Sequence, residues 1–157
     1  MYHVHVTTTI DAPQEKVFAL LADHERFIRG PGVKCRLVTL GRGDRNGVGA
    51  VREVKSAGST FTEEVIEFDP PKGYAYVVRS LIGPMGVPTP VHHERGWIEL
   101  SSTGTGTHVV WQSRFTMPVP LVGWLVARVA GSQIKKAFVE FLAQAKGDLE
   151  RAEAPPA

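Results

Sequence analysis

The chain has 157 residues, a length typical of one domain with a substantial hydrophobic core. Its 43% hydrophobic and 22% charged residues are typical of a soluble protein, and a formal net charge of +2 is too small to indicate a nucleic-acid-binding protein. The lone cysteine excludes an intrachain disulfide, and no stretch resembles a signal peptide. The longest apolar stretch, 118–131, is too short to span a bilayer. We therefore expect one cytoplasmic domain, 1–157, with no integral membrane segment.

The first part of the chain predicts one strand followed by two short helices. Residues 2–10 alternate between apolar and polar side chains, which indicates a half-buried strand. Asp11 and Pro13 then fit the start of a helix, with Asp11 as its cap. A second short helix is predicted over 23–28. Six further strands, separated by turns rich in Gly, Pro, Asp and Asn, are predicted over 33–40, 48–56, 60–68, 73–82, 91–100 and 105–117.

A long closing helix is predicted over 121–149. Its second half repeats apolar residues at helical spacing, at Ile134, Phe138 and Phe141, whereas its first half is apolar on nearly all sides. Residues 153–157 are expected to be a frayed tail. Many strands followed by one long helix predict an α+β domain in which a curved sheet grips the helix and leaves a cavity.

Three segments carry a resemblance to a known family. Residues 6–18, 64–73 and 106–115 resemble, in that order, an opening strand with its Ala-Pro turn and first helix, a strand ending in Asp-Pro-Pro, and a last strand of the SRPBCC superfamily. This superfamily includes START lipid-transfer domains and pollen allergens, and the chain is most similar to its bacterial polyketide cyclase/dehydrase-like group. The resemblance implies a helix-grip fold: a curved seven-stranded antiparallel sheet around a long C-terminal helix, with two short helices after strand one.

The last strand indicates where a ligand would bind. Its apolar face carries Trp111, Phe115 and Met117, with the hydroxyl of Ser113 among them, and in a helix-grip fold that face lines the cavity. Ser113 would either orient a ligand or bond to the backbone. The predicted ligand-binding residues are Tyr76, Val78, Trp97, Trp111, Ser113, Phe115, Met117, Leu125, Val129, Ile134 and Phe138.

Polar clusters in two strands offer candidates for catalysis. In the strand over 91–100, His92 and Glu94 share one face, while His93, Arg95 and Trp97 share the other. Either face could supply acid–base groups to the cavity, or the cluster could form solvated ion pairs at a strand end. His92 and Arg95 are the candidates from this strand.

The strand over 60–68 contains three glutamates, so whichever face turns inward brings a carboxylate with it. Glu63 and Glu64 are adjacent and therefore lie on opposite faces of the strand. A buried carboxylate needs a cationic partner or has a raised pKa. Glu64 is the third catalytic candidate, with a structural ion pair as its alternative. The candidate partners are Arg52, Arg79, Arg95 and Arg114.

Three functions remain open at this stage. The first is a carrier or sensor of a small hydrophobic ligand, such as a lipid, an aromatic or a polyketide-like molecule. The second is a cyclase or dehydratase that uses Glu64, His92 or Arg95. The third is an interaction module or homodimer formed near Trp124. No metal site is predicted, because His3 and His5 lie on the polar face of their strand without further ligands, and no motif indicates a cofactor.

Overall fold

The computed structural model describes residues 1–155. A strand and two short helices open the chain, six strands follow, and one long helix ends it. The elements are β1 (Tyr2–Ile10), α1 (Gln14–Ala22), α2 (His24–Phe27), β2 (Lys34–Thr39), β3 (Val51–Ser56), β4 (Ser59–Asp69), β5 (Gly73–Ile82), β6 (His92–Ser102), β7 (Thr107–Thr116) and α3 (Gly123–Glu153).

The seven strands form one antiparallel sheet in the order β1-β7-β6-β5-β4-β3-β2. Consecutive strands from β2 to β7 are neighbours, and β1 pairs along its whole length with β7. The helix α3 packs mainly against β1 and β7. The sequence prediction of an α+β helix-grip fold with seven antiparallel strands is confirmed.

The core lies between the sheet and α3, with α1 and α2 beside it. Residues of β7 alternate strictly between buried and half-buried positions, so that Val109, Trp111 and Phe115 face the helix. From α3, Phe138 and Leu142 are buried against them. This alternation is the period-two pattern expected of a strand with one face in the core.

The ends of the helices differ from the prediction. Pro13, rather than Asp11, precedes α1, and Asp11 instead donates its backbone N–H to the Glu150 carboxylate of α3, 3.0 Å away. The helix α3 continues through Glu153, whose carboxylate lies 2.5 Å from the Lys16 ammonium group, so the predicted tail of 153–157 begins too early. Its last two residues, 156 and 157, lie outside the described residues.

The apolar start of α3 does not make it a membrane span. In the described part of the chain, 1–155, no helix is both long enough and apolar enough to cross a bilayer.

Candidate ligand-binding cavity

A cavity of about 410 Å³ lies between the sheet and α3. Its closed end is formed by Arg52, Tyr76 and Trp111, which are all buried. Its open end is bordered by the β3–β4 turn at Ala57 and by the β5–β6 loop at Pro84, both exposed. A volume of this size holds a small organic molecule.

Aromatic side chains form much of the wall. The rings of Trp111 and Phe138 are stacked, with 3.6 Å between their centroids and 9° between their planes. The indole N–H of Trp111 donates to the hydroxyl oxygen of Tyr76, 3.1 Å away. Burial raises the pKa of that hydroxyl above its ordinary value, so Tyr76 stays protonated. This wall is suited to an apolar or aromatic ligand.

A buried arginine lies at the closed end of the cavity. Arg52 is only 1% exposed, and its Nε atom donates to a Glu63 carboxylate oxygen 2.6 Å away. Its Nη1 atom lies 2.6 Å from Nδ1 of His24. A guanidinium only donates, so Nδ1 of His24 is the acceptor and the imidazole ring is neutral. Burial and the charge of Arg52 both lower the pKa of His24 well below its ordinary value.

One N–H donor group of Arg52 has no acceptor among the described residues. Among the described residues, Nη2 of Arg52 has no hydrogen-bond partner, although the atom is buried. Burial lowers the pKa of Arg52, but the Glu63 carboxylate more than offsets it, so the side chain is charged. Its guanidinium lies 4.7 Å from the centre of the Tyr76 ring. Because Arg52 lines the cavity and buried N–H groups are costly to leave unpaired, this group is the candidate donor to a ligand oxygen at the closed end.

A second polar pair in the wall depends on a β-bulge in β6. His93 pairs with Phe115 and Arg95 pairs with Arg114, so Glu94 is an extra residue without a partner in β7. The bulge turns His93 toward the cavity, while Arg95 lies on the outer face. The Val78 N–H donates to Nδ1 of His93 at 3.1 Å, so the proton of the neutral ring is on Nε2, which donates to Oγ of Ser113 at 3.0 Å.

The Ser113 hydroxyl is therefore oriented by its neighbour. Its oxygen accepts from His93, which leaves its own proton for another acceptor. Within residues 1–155, the only side-chain hydrogen bond of Ser113 is the one to His93. Because Ser113 lies in the cavity wall, this proton is available to an acceptor there.

His93 gives the first testable expectation. Burial, followed by the charge of His92, lowers its pKa from 6.5 to about 4. A base with a lowered folded-state pKa contributes stability above about pH 6.5 that is lost as the pH falls toward about 4. Between about pH 7.5 and pH 5, this loss is about 2 kcal/mol. His93→Gln keeps an acceptor and a donor, so its urea-unfolding free energy should fall by about 2 kcal/mol less over that interval. An equal fall in both proteins would contradict a buried, neutral His93.

The predicted catalytic candidates lie outside the cavity wall. Glu64 pairs with Arg79 at 2.7 Å on the outer face, and Arg95 pairs with Glu67 at 2.7 Å. His92 is exposed at the start of β6. Three other residues with charged or imidazole side chains line the cavity and were not chosen as site residues from the sequence: Arg52, Glu63 and His93.

The predicted ligand-binding residues divide into two groups. Trp97 lies on the outer face, with its ring 6.1 Å from that of His3 and two arginines over it, and Leu125 and Val129 are exposed on α3. The other predicted residues line the cavity, and their contact with a ligand stays a prediction: Tyr76, Val78, Trp111, Ser113, Phe115, Met117, Ile134 and Phe138.

Comparison with known proteins places these features in a family. The model of a family described as "Polyketide cyclase / dehydrase and lipid transport" matches residues 1–150. No curated protein matches the sequence.

Solved structures share the fold at low sequence identity. The Zhui aromatase/cyclase from Streptomyces has a TM-score of 0.74 and 19% identity, with 98% of this chain and 96% of that chain covered. A Thermus thermophilus protein has a TM-score of 0.71 and 18% identity, with 98% of this chain and 100% of that chain covered. The Aha1 dimer from Colwellia psychrerythraea has a TM-score of 0.61 and 16% identity, with 96% of this chain and 97% of that chain covered. These similarities show a common fold.

Proposed function

The chain belongs to the family of polyketide cyclases, dehydrases and lipid-transport proteins, and from this premise we propose that it binds a small hydrophobic molecule carrying an oxygen acceptor. The molecule occupies the cavity between the sheet and α3, and the protein acts as its carrier or sensor.

The observation that carries this proposal is the combination of an apolar wall with a buried donor that no described residue satisfies. Burial of apolar ligand surface contributes about 25 cal/mol per Å² before the costs of association. Arg52 and Ser113 would fix the orientation of the ligand through its oxygen atoms. Because Glu63 already neutralises Arg52, a ketone, ester or hydroxyl oxygen suits the site better than a carboxylate, which would add uncompensated negative charge.

A second candidate function is cyclisation or dehydration of a polyketide-like chain. The observation that favours it is the position of Glu63 beside Arg52 in the cavity wall. A carboxylate can remove a proton next to a carbonyl group, and a guanidinium can stabilise the enolate that forms. His93 is a poor general base here, because both of its nitrogen atoms are engaged. Product formation from a poly-β-ketone that is lost in Glu63→Gln, with binding retained, would favour this candidate.

Filling the cavity tests the binding proposal. Prodan, a neutral fluorescent naphthyl ketone, is a suitable probe. Ala130 lines the cavity and is half-buried on α3, so Ala130→Phe places a ring in the ligand's volume without removing core atoms. We expect prodan affinity to fall at least about tenfold, as measured by fluorescence titration.

Ala152→Phe is the matched control, because Ala152 is exposed near the other end of the same helix. It should bind prodan as the unchanged protein does. Circular dichroism establishes that both variants are folded. Equal prodan affinity in folded Ala130→Phe and in the unchanged protein would place the probe outside this cavity.

A further inference from the structure

Large apolar side chains are exposed in the β5–β6 loop, which borders the cavity, and around the start of α3. Met85 is 96% exposed, Leu121 is 97% exposed and Trp124 is 71% exposed. We call these residues, together with Val87, Leu125 and Val129, the rim patch. Single exposed apolar residues are normal, but a group of this size marks an interaction surface.

Two segments bring the rim patch together. Met85 and Val87 belong to the β5–β6 loop, whose residues Gly83, Pro84 and Thr89 border the cavity. The remaining members lie on or just before the start of α3, which follows the end of β7. Because Thr116 at that end pairs with His92 at the start of β6, both segments lie at the same end of the sheet.

The backbone holds the two most exposed members in an uncommon conformation. Met85 has φ = 63° and Leu121 has φ = 64°, the left-handed region in which side chains other than glycine are rare. Such a conformation costs on the order of 1–3 kcal/mol. Here it presents two apolar side chains to water, which offers no compensation unless something covers them.

The charged residues closest to the rim patch along the chain of α3 are basic. Between residues 118 and 139 the charged side chains are Arg128, Lys135 and Lys136, and residues 83–90 carry no charge. Arg128 and Lys135 follow Trp124 by four and eleven residues, so the three lie on one side of α3. Arg128 lies about 6 Å beyond Trp124 along the helix axis. Along this side of α3, the exposed apolar residues at the start of the helix are thus followed by the basic residues Arg128 and Lys135.

This arrangement selects one kind of partner. In a two-fold dimer the patch would meet its own copy, and Arg128 and Lys135 of each protein would approach with no acid in the patch to pair with them, whereas Lys136 already lies 4.0 Å from Glu140. Exposed Trp and aliphatic side chains flanked by Lys and Arg are the composition of segments that bind the interface of an anionic bilayer. We propose that the rim patch docks the protein on a membrane surface containing anionic lipid, with Trp124, Leu121 and Met85 inserted and the open end of the cavity against the lipid.

Vesicle co-sedimentation tests this surface without any knowledge of the ligand. The probes are vesicles of phosphatidylcholine alone and of phosphatidylcholine with phosphatidylglycerol. We expect binding to the anionic vesicles that weakens with added salt, and a loss of about tenfold in partitioning for Leu121→Ser/Trp124→Ser. Arg128→Gln/Lys135→Gln should also weaken binding, by several-fold, because each basic residue near the surface contributes.

Matched controls use residues outside the patch. Leu40→Ser removes an apolar side chain that is 64% exposed elsewhere, and Lys34→Gln/Lys72→Gln removes two exposed lysines; neither should change vesicle binding. Equal losses in the controls, no binding to anionic vesicles, or a dimer in size-exclusion chromatography that Trp124→Ser dissociates would each overturn the proposal. Prodan binding in solution is independent of this surface, so failure here and failure of the ligand proposal are separate results.

Discussion

Replacing Glu63 by Gln is expected to lower the free energy of unfolding by about 3–5 kcal/mol. Glu63 is the acidic partner of Arg52, with 2.6 Å between Oε2 and Nε, and the two side chains are 12% and 1% exposed. His24 offers Arg52 a hydrogen bond but no negative charge. Without Glu63 the guanidinium would stay buried and uncompensated, which costs far more than the loss of a surface ion pair. Urea unfolding at neutral pH measures the difference.

Glu64 is the matched control, one residue further along the same strand. It forms an ion pair with Arg79 at 2.7 Å, but both side chains are at least one-third exposed, so Glu64→Gln should cost less than about 1 kcal/mol. A second variant, Arg52→Met/Glu63→Leu, removes both charges and should recover most of the stability lost in Glu63→Gln. Equal losses in the Glu63 and Glu64 variants would mean that Arg52 is not isolated from solvent.

The fold follows from local patterns that the sequence displays. In β7, the large apolar residues Val109, Trp111 and Phe115 all fall on the same set of alternate positions, and the pairing with β1 runs in one unbroken register from Tyr2 to Ile10. Alternation therefore placed Trp111, Ser113 and Phe115 correctly on the face toward α3. The strands and their order along the chain could therefore be predicted without knowing which strands pair in the sheet.

The same reasoning failed in β6 because of one extra residue. Simple alternation puts His93 on the same face as Arg95 and Trp97. The bulge at Glu94 instead puts His93 on the opposite face from Arg95 and Trp97. Bulges are set by pairing with the neighbouring strand, which a single strand's alternation does not reveal. His93, and not Arg95, therefore lies in the cavity wall.

The prediction of ligand-binding residues at the start of α3 was wrong for a different reason. Its first turns are apolar on all sides, so the sequence gives no direction for the buried face. The structure buries Gly123, Ala127 and Gly131, because their small size lets the helix approach its neighbours closely, and a side chain at Gly131 would overlap the Tyr2 ring. The larger residues Leu125 and Val129 are thereby left exposed.

Arg52 could not be chosen from the sequence because its partners come from separate elements. Glu63 lies on β4 and His24 on α2, and only the folded chain brings them to the arginine. In the sequence, Arg52 was one of four arginines that could pair with an inward carboxylate. Burial, and not residue type or spacing, distinguishes it from the other three.

Replacing Trp111 by Ala is expected to cost about 3–5 kcal/mol of unfolding free energy. The side chain is 1% exposed, stacks on Phe138, and lies 5.2 Å from the ring of Phe27 between centroids. Its removal would open a void joined to the existing cavity and would also leave Tyr76 without its donor. Trp111→Phe keeps an aromatic side chain but removes the N–H group and part of the ring volume, so we expect a loss of about 1–3 kcal/mol.

Trp97→Ala separates the effect of the site from the effect of tryptophan loss. Trp97 lies on the outer face under Arg95 and Arg114, only partly buried, so its removal should cost roughly 1–2 kcal/mol, well below Trp111→Ala. Comparable losses at the two positions would mean that the inner wall is not tightly packed. The folded Trp111→Phe variant then links packing to binding. Energy transfer from Trp111 to prodan should disappear in it while transfer from the other tryptophans remains, since Trp111 alone of the three lines the cavity.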